Sequence, residues 1–113
     1  MTFLEAHNEG SLNSTTPVAL VASPEASARR LVRFISVYNK DTVAIALTIG
    51  YLHNATTSII FKGTLQTGET YIFGDGGETL VLDDTDQSIT AVLGGAVTAN
   101  QPEFISTYAE VTA

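Results

Sequence analysis

From Pro17 onward, apolar residues come in short runs separated by Gly, Asn, Asp and Thr. The clearest run is 42–51, where Val43, Ile45, Leu47, Ile49 and Tyr51 alternate with Ala44, Ala46, Thr48 and Gly50. A period of two rich in β-branched residues predicts a strand with one buried face. The opposite face is small and flat, suited either to water or to close approach of another chain. Further runs at 18–22, 30–38, 57–61, 70–73, 79–82, 88–93 and 104–111 bring the set to about eight short strands. Run 30–38 carries Leu31, Val32, Phe34, Ile35, Val37 and Tyr38, too apolar on both sides to assign one core face. Asn39-Lys40-Asp41 reads as a hairpin loop, and 53–56 as a turn. Helix is limited to one turn after Pro24. Short strands at this spacing predict an all-β fold, with antiparallel strands in a β-sandwich or jelly-roll-like barrel.

Residues 1–16 have no such period and are rich in Ser, Thr and Asn. They read as an N-terminal extended arm ahead of a single β-sandwich domain at 17–113, with Phe3, Leu4 and Leu12 as its anchors. Two readings of the arm stand: a frayed end, and a segment that orders against a partner. The stretch MTFLEAHNEG lacks the basic and apolar regions of a signal peptide. No apolar run approaches the ~20 residues of a membrane span. A soluble chain without membrane contact is expected.

Composition narrows the function classes. A length of 113 residues fits one domain, and 44% hydrophobic with 15% charged residues is not a disordered acidic tail. The absence of cysteine excludes a disulfide scaffold, a thiolate zinc site and a cysteine nucleophile. The net charge is −7, and the five bases Arg29, Arg30, Arg33, Lys40 and Lys62 all precede residue 63. Nucleic-acid binding needs a basic footprint that this chain lacks. Arg29, Arg30 and Arg33 pair either with the chain's own carboxylates or with a neighbouring subunit, since the guanidinium fork suits both.

No motif specifies a chemistry. Asp83, Asp84 and Asp86, with Asp75 and Glu78 nearby, read as solvated turns or as calcium-binding loops, without EF-hand spacing. A glycosidase-type carboxylate pair would need a cleft that so short a chain is not expected to form. His7 and His53 sit in the arm and in a turn, and a metal site would require both to converge with carboxylates. There is no G-x-S-x-G elbow. Gly74-Asp75-Gly76-Gly77 is followed by neither helix nor lysine, so it reads as a tight turn rather than a phosphate cradle. Asn13-Ser14-Thr15 and Asn54-Ala55-Thr56 match the glycosylation pattern by chance. No catalytic residue, metal ligand or cofactor is assigned, and an enzyme is not expected.

The segments Gly68-Glu69-Thr70-Tyr71-Ile72-Phe73, Leu80-Val81-Leu82-Asp83-Asp84 and Asp86-Gln87-Ser88-Ile89-Thr90-Ala91, after Val37-Tyr38-Asn39 and the strand at 42–51, form an ordered pattern. The pattern resembles small β-sandwich virion proteins of tailed bacteriophages, over roughly residues 17–113. The resemblance implies a structural role without catalytic residues. The expected function is capsid decoration (cement): binding the major capsid protein on the outer surface of the virion, after synthesis in the host cytoplasm. A symmetric homo-oligomer is expected, a trimer suiting a local threefold. The alternatives are a tail, connector or fibre-associated protein, or a small carbohydrate- or ligand-binding sandwich. Candidate contacts are Phe3, Leu4 and Leu12 of the arm, the cluster Arg29, Arg30 and Arg33, and the flat face at Ala44, Ala46 and Thr48.

Overall fold

The computed structural model describes residues 2–112. It has nine strands: β1 (Thr2–Ser11), β2 (Val18–Val21), β3 (Ala28–Tyr38), β4 (Ile45–His53), β5 (Thr56–Leu65), β6 (Thr70–Phe73), β7 (Leu80–Leu82), β8 (Gln87–Leu93) and β9 (Glu103–Thr112). No helix occurs among the described residues. All strand pairs are antiparallel, in two sheets. One runs β1-β9-β3-β6, with β7 also on β3, and the other runs β2-β8-β4-β5.

The pairing is nested. β4 pairs with β5, β3 with β6 and β7, β2 with β8, and β1 with β9. The chain is therefore one long hairpin folded over into two sheets, the jelly-roll order. The tip is the two-residue turn Asn54-Ala55, both with positive φ (51° and 61°). That backbone matches the twist of the flanking strands. Counting β6 and β7 as halves of one strand leaves the eight of a jelly roll.

The core lies between the sheets, where β8 alternates buried and half-buried along its whole length. Leu20, Val32, Ile35, Leu47, Ile49, Leu82 and Ile89 are fully enclosed. Between the edge strands β5 and β6 of the two sheets, the rings of Phe61 and Tyr71 stack with centroids 4.3 Å apart. β3 carries a bulge at Arg33: Val32 lies opposite Tyr108, while Phe34 lies opposite Thr107. The bulge moves the inward positions from 30 and 32 to 35 and 37. Both resulting sides are apolar, with Val32, Ile35 and Val37 inward and Leu31, Phe34 and Tyr38 outward.

Residues 2–11, within the segment read as an extended arm, form an edge strand on β9, and none of their side chains is buried. Three expectations change. Leu12, expected as an outward anchor, is 1% exposed and plugs the core, its amide donating to the Pro102 carbonyl at 2.8 Å. Asn39-Lys40-Asp41 is no hairpin loop, because β3 and β4 lie in different sheets and the segment crosses between them. The strand expected from 42 begins at Ile45, which leaves Val43 outside it and exposed.

The crossing segment is held by two buried polar side chains. Asn39 Nδ2 donates to the carbonyls of Val43 and Leu65, both at 3.0 Å, and its Oδ1 accepts from the Asp41 amide at 2.9 Å. Asp41 accepts four backbone N–H groups: Thr98 at 2.9 Å on Oδ2, and Thr42, Ala99 and Asn100 at 2.8, 2.9 and 3.1 Å on Oδ1. These bonds, the Thr98 amide foremost, outweigh the opposing effect of burial and hold the Asp41 carboxyl at about 2. One carboxylate thus pins a strandless loop to the start of β4.

Candidate interaction surface

Residues opposite one another in a ladder share a face, so the register defines the outer surface of the five-stranded sheet. Along the strands it forms five rows. The first is Phe3, Val111 and Arg29; the second is Glu5, Ala109, Leu31 and Val81. The third is His7, Thr107 and Phe34; the fourth is Glu9, Ile105, Ser36 and Ile72. The fifth is Ser11, Glu103, Tyr38 and Thr70. Phe3, Tyr38, Ile72, Val81 and Ile105 on this face are all among the large apolar side chains left exposed, Ile105 at 46%. Scattered surface hydrophobes need no explanation, but these five share one face of one sheet.

The outer face of the other sheet is different. Its rows include Ala46 with Thr64, then Thr48 with Val92 and Lys62, then Gly50 with Thr90 and Ile59. This is the flat face expected as a contact. Ala44 and Ala46 are exposed and Thr48 is half-buried. The Gly94 amide donates to the Ala46 carbonyl at 3.0 Å, folding the following loop back along it. Apart from Val92 and the exposed Ile59, the side chains in these rows are small or polar and suit water.

The three arginines part company. Arg30 projects toward the inner side at the open end of the sandwich. Its Nε donates to Glu110 Oε1 at 2.9 Å, Nη1 donates to the Ala22 carbonyl at 2.8 Å, and the guanidinium lies 4.8 Å from the Tyr108 ring centroid. It is thus engaged within its own chain. Arg33, on the bulge, stands 3.6 Å from Glu5 and over the Phe3 ring. Arg29 is exposed at the end of the apolar face. Of the arm residues, Phe3 lies on that face, Leu4 projects to the opposite side, exposed, and Leu12 is internal.

A second cluster joins one of the two histidines to two carboxylates of the 83–86 loop, without His7. His53 at the end of β4 pairs with Gln87 at the start of β8, which brings the 83–86 loop onto it. His53, Asp84 and Asp86 offer ligand atoms within 4.8 Å of one another. His53 Nε2 lies 3.5 Å from Asp86 Oδ1, an oxygen shielded from water and without a hydrogen-bond partner. Gln87 Oε1 shapes the loop by accepting from the amides of Asp83 and Asp84. Burial first, then Asp83, Asp86 and Asp84, push the Tyr51 hydroxyl above its usual pKa. One imidazole and two carboxylates form a donor set unlike the six to eight oxygens calcium takes. Asp75 and Glu78 are not part of it.

The face went unrecognised because its residues come from five strands. The signal was present in run 30–38, whose second apolar side is Leu31, Phe34 and Tyr38.

No family model matches the chain, and no curated protein matches it. Among solved structures, a chain of Bacillus endospore appendages, which form disulfide-linked pili, is similar at TM-score 0.56 and 12% identity, covering 98% of this chain and 87% of that one. The crystal structure of PirA is similar at TM-score 0.50 and 15% identity, covering 91% and 92%. A chain of infectious bursal disease virus, Gx strain, reaches TM-score 0.44 at 10% identity, covering 96% of this chain and 29% of that one. At these identities the likeness is one of fold: a jelly-roll sandwich spanning nearly the whole chain.

Proposed function

We propose that the chain is a structural, non-enzymatic unit of a larger protein assembly, with the outer face of its five-stranded sheet covered by protein there. The observation that carries this reading is the apolar surface around Ile105, Ile72, Val81, Phe34 and Tyr38. An isolated domain gains nothing by holding such a surface in water. The finer reading is a capsid decoration protein of a tailed phage, bound to the major capsid protein on the outer surface of the virion. It is supported by the resemblance of 68–73, 80–84 and 86–91 to such proteins and by the jelly-roll order, an architecture of capsid domains. Strand β1 adds a route to contact, since its free edge can extend a neighbour's sheet.

A repeating extracellular filament is the second reading, favoured by the match over 98% of the chain to a pilus-forming protein. Without cysteine, such a filament would be held by surfaces, not disulfides. Co-sedimentation with phage shells that lack the protein separates the two. Saturable binding supports decoration, and its absence, with self-association into fibres, supports the filament.

A further inference from the structure

We infer that the apolar face is covered by a second copy of this chain, stacked face to face about a two-fold axis that runs across the strands. The inference rests on the reading above, that protein covers this face, and names the partner.

Size is the first argument. With strands ~4.8 Å apart and a rise of ~3.3 Å per residue, the face measures roughly 20 by 35 Å. This agrees with a molecule of 46 × 26 × 21 Å. Roughly 700 Å² of projected sheet, more once side-chain relief is counted, approaches the ~800 Å² per partner of a stable interface.

The order of charge along the face is the second. Arg29 stands at one end and Glu103 at the other, with Glu9 one row in from Glu103. Glu103 is paired with Lys40 at 3.3 Å, with both side chains about half exposed. His7 occupies the middle row. Inside the marginal strand β1, the face has a positive end, a largely apolar middle and a negative end, and it complements itself when a copy is laid on it with the strands reversed. Arg29 then meets the Glu103 end of the other copy, and Leu31 and Val81 meet the row of Ile105 and Ile72. The row of Phe34 lies at the centre, against itself. Stacking with strands aligned would instead bring the two Arg29 ends together and the two Glu103 ends together. The like-signed meeting in the reversed arrangement, made twice by the two-fold, is Glu5 with Glu9 on the marginal strand, and Arg33 already sits beside Glu5. A two-fold contact of this kind is closed, so it ends at a dimer.

The test is sedimentation equilibrium of the full chain across a dilution series. A reversible dimer is expected. Ile105→Glu should be monomeric with an unchanged far-UV circular dichroism spectrum, because the side chain projects outward. Arg29→Glu should weaken the dimer about tenfold or more, and adding Glu103→Arg should restore it, since the exchange recreates both cross-pairs. A monomer at every concentration, a trimer, a dimer indifferent to Ile105→Glu, or failure of the double exchange to restore association would each overturn the inference. The shell-binding assay keeps the two readings apart. A monomer that binds shells and loses binding on Ile105→Glu refutes the second copy and leaves the covered face standing. A dimer that binds no shell keeps the inference and removes decoration.

Discussion

Gly74 packs against the carbonyl of Arg33, the bulged residue of β3. A Cβ at Gly74 would overlap the Arg33 carbonyl oxygen, and its φ of +94° lies where side chains are rarely tolerated. The contact explains the broken strand beside β3. β6 pairs with 35–38 and β7 with 30–32, and the bulge lies between them. The partner strand leaves the ladder where β3 has an extra residue. Gly74→Ala should therefore destabilise by about 2 kcal/mol or more, combining backbone strain with overlap. Urea unfolding of the variant checks this. A loss below about 0.5 kcal/mol would mean that the loop relaxes freely around the bulge.

The hairpin tip makes the opposite prediction. Ala55 holds φ at 61° in the β4–β5 turn, a conformation unfavourable for any residue with a Cβ. Asn-Gly is the preferred pair for this turn. Ala55→Gly should raise stability by about 0.5–1 kcal/mol, the relief of strain exceeding the added freedom of the unfolded chain. Thermal unfolding reads the shift, and a fall in midpoint would show that the turn is not strained.

Strand β8 shows what a sequence pattern reports well. Gln87, Ile89, Ala91 and Leu93 face inward and Ser88, Thr90 and Val92 outward, because one side is buried and the other wet. Strand β1 shows the limit. It is paired with β9 along its whole length, but neither side is buried, so no hydrophobic period is imposed on it. The Arg33 bulge hid the inward face of β3 by changing the register within a continuous apolar run. The meeting of His53 with Asp84 and Asp86 depends on the β4–β8 pairing, between segments more than thirty residues apart. Such contacts follow from topology, and local pattern does not encode them.

Leu12 and its neighbours along the arm separate anchoring from exposure. Leu12 is enclosed, while Phe3 and Leu4 are 54% and 57% exposed. Leu12→Ala should cost about 2–5 kcal/mol through lost burial and a residual cavity. Phe3→Ala and Leu4→Ala should each stay within about 0.5 kcal/mol in the isolated chain. Denaturant titration of the three variants decides whether the folded body begins at Leu12. Equal losses at all three positions would mean that β1 is integral to the core.

Asp41 sets the acid limit of the fold. Its folded pKa of about 2 lies below the ordinary 3.8, so its contribution to stability is fully present above 3.8. It fades as pH falls through about 2, because protonation removes the acceptor that four amides share. The first structure to loosen should be the 98–100 loop, where three of those amides lie. Asp41→Asn should mimic the acid state at neutral pH. The amide NH2 would oppose a backbone donor, either Thr98 at Oδ2 or the three that converge on Oδ1. The variant should have a lower thermal midpoint at pH 7, and its midpoint should no longer respond to acidification between pH 4 and about 2 as the wild type's does. Hydrogen exchange at Thr98, Ala99 and Asn100 locates the effect. Wild-type protection of these amides that persists below pH 2, or that survives in the variant, would show that another group holds the loop.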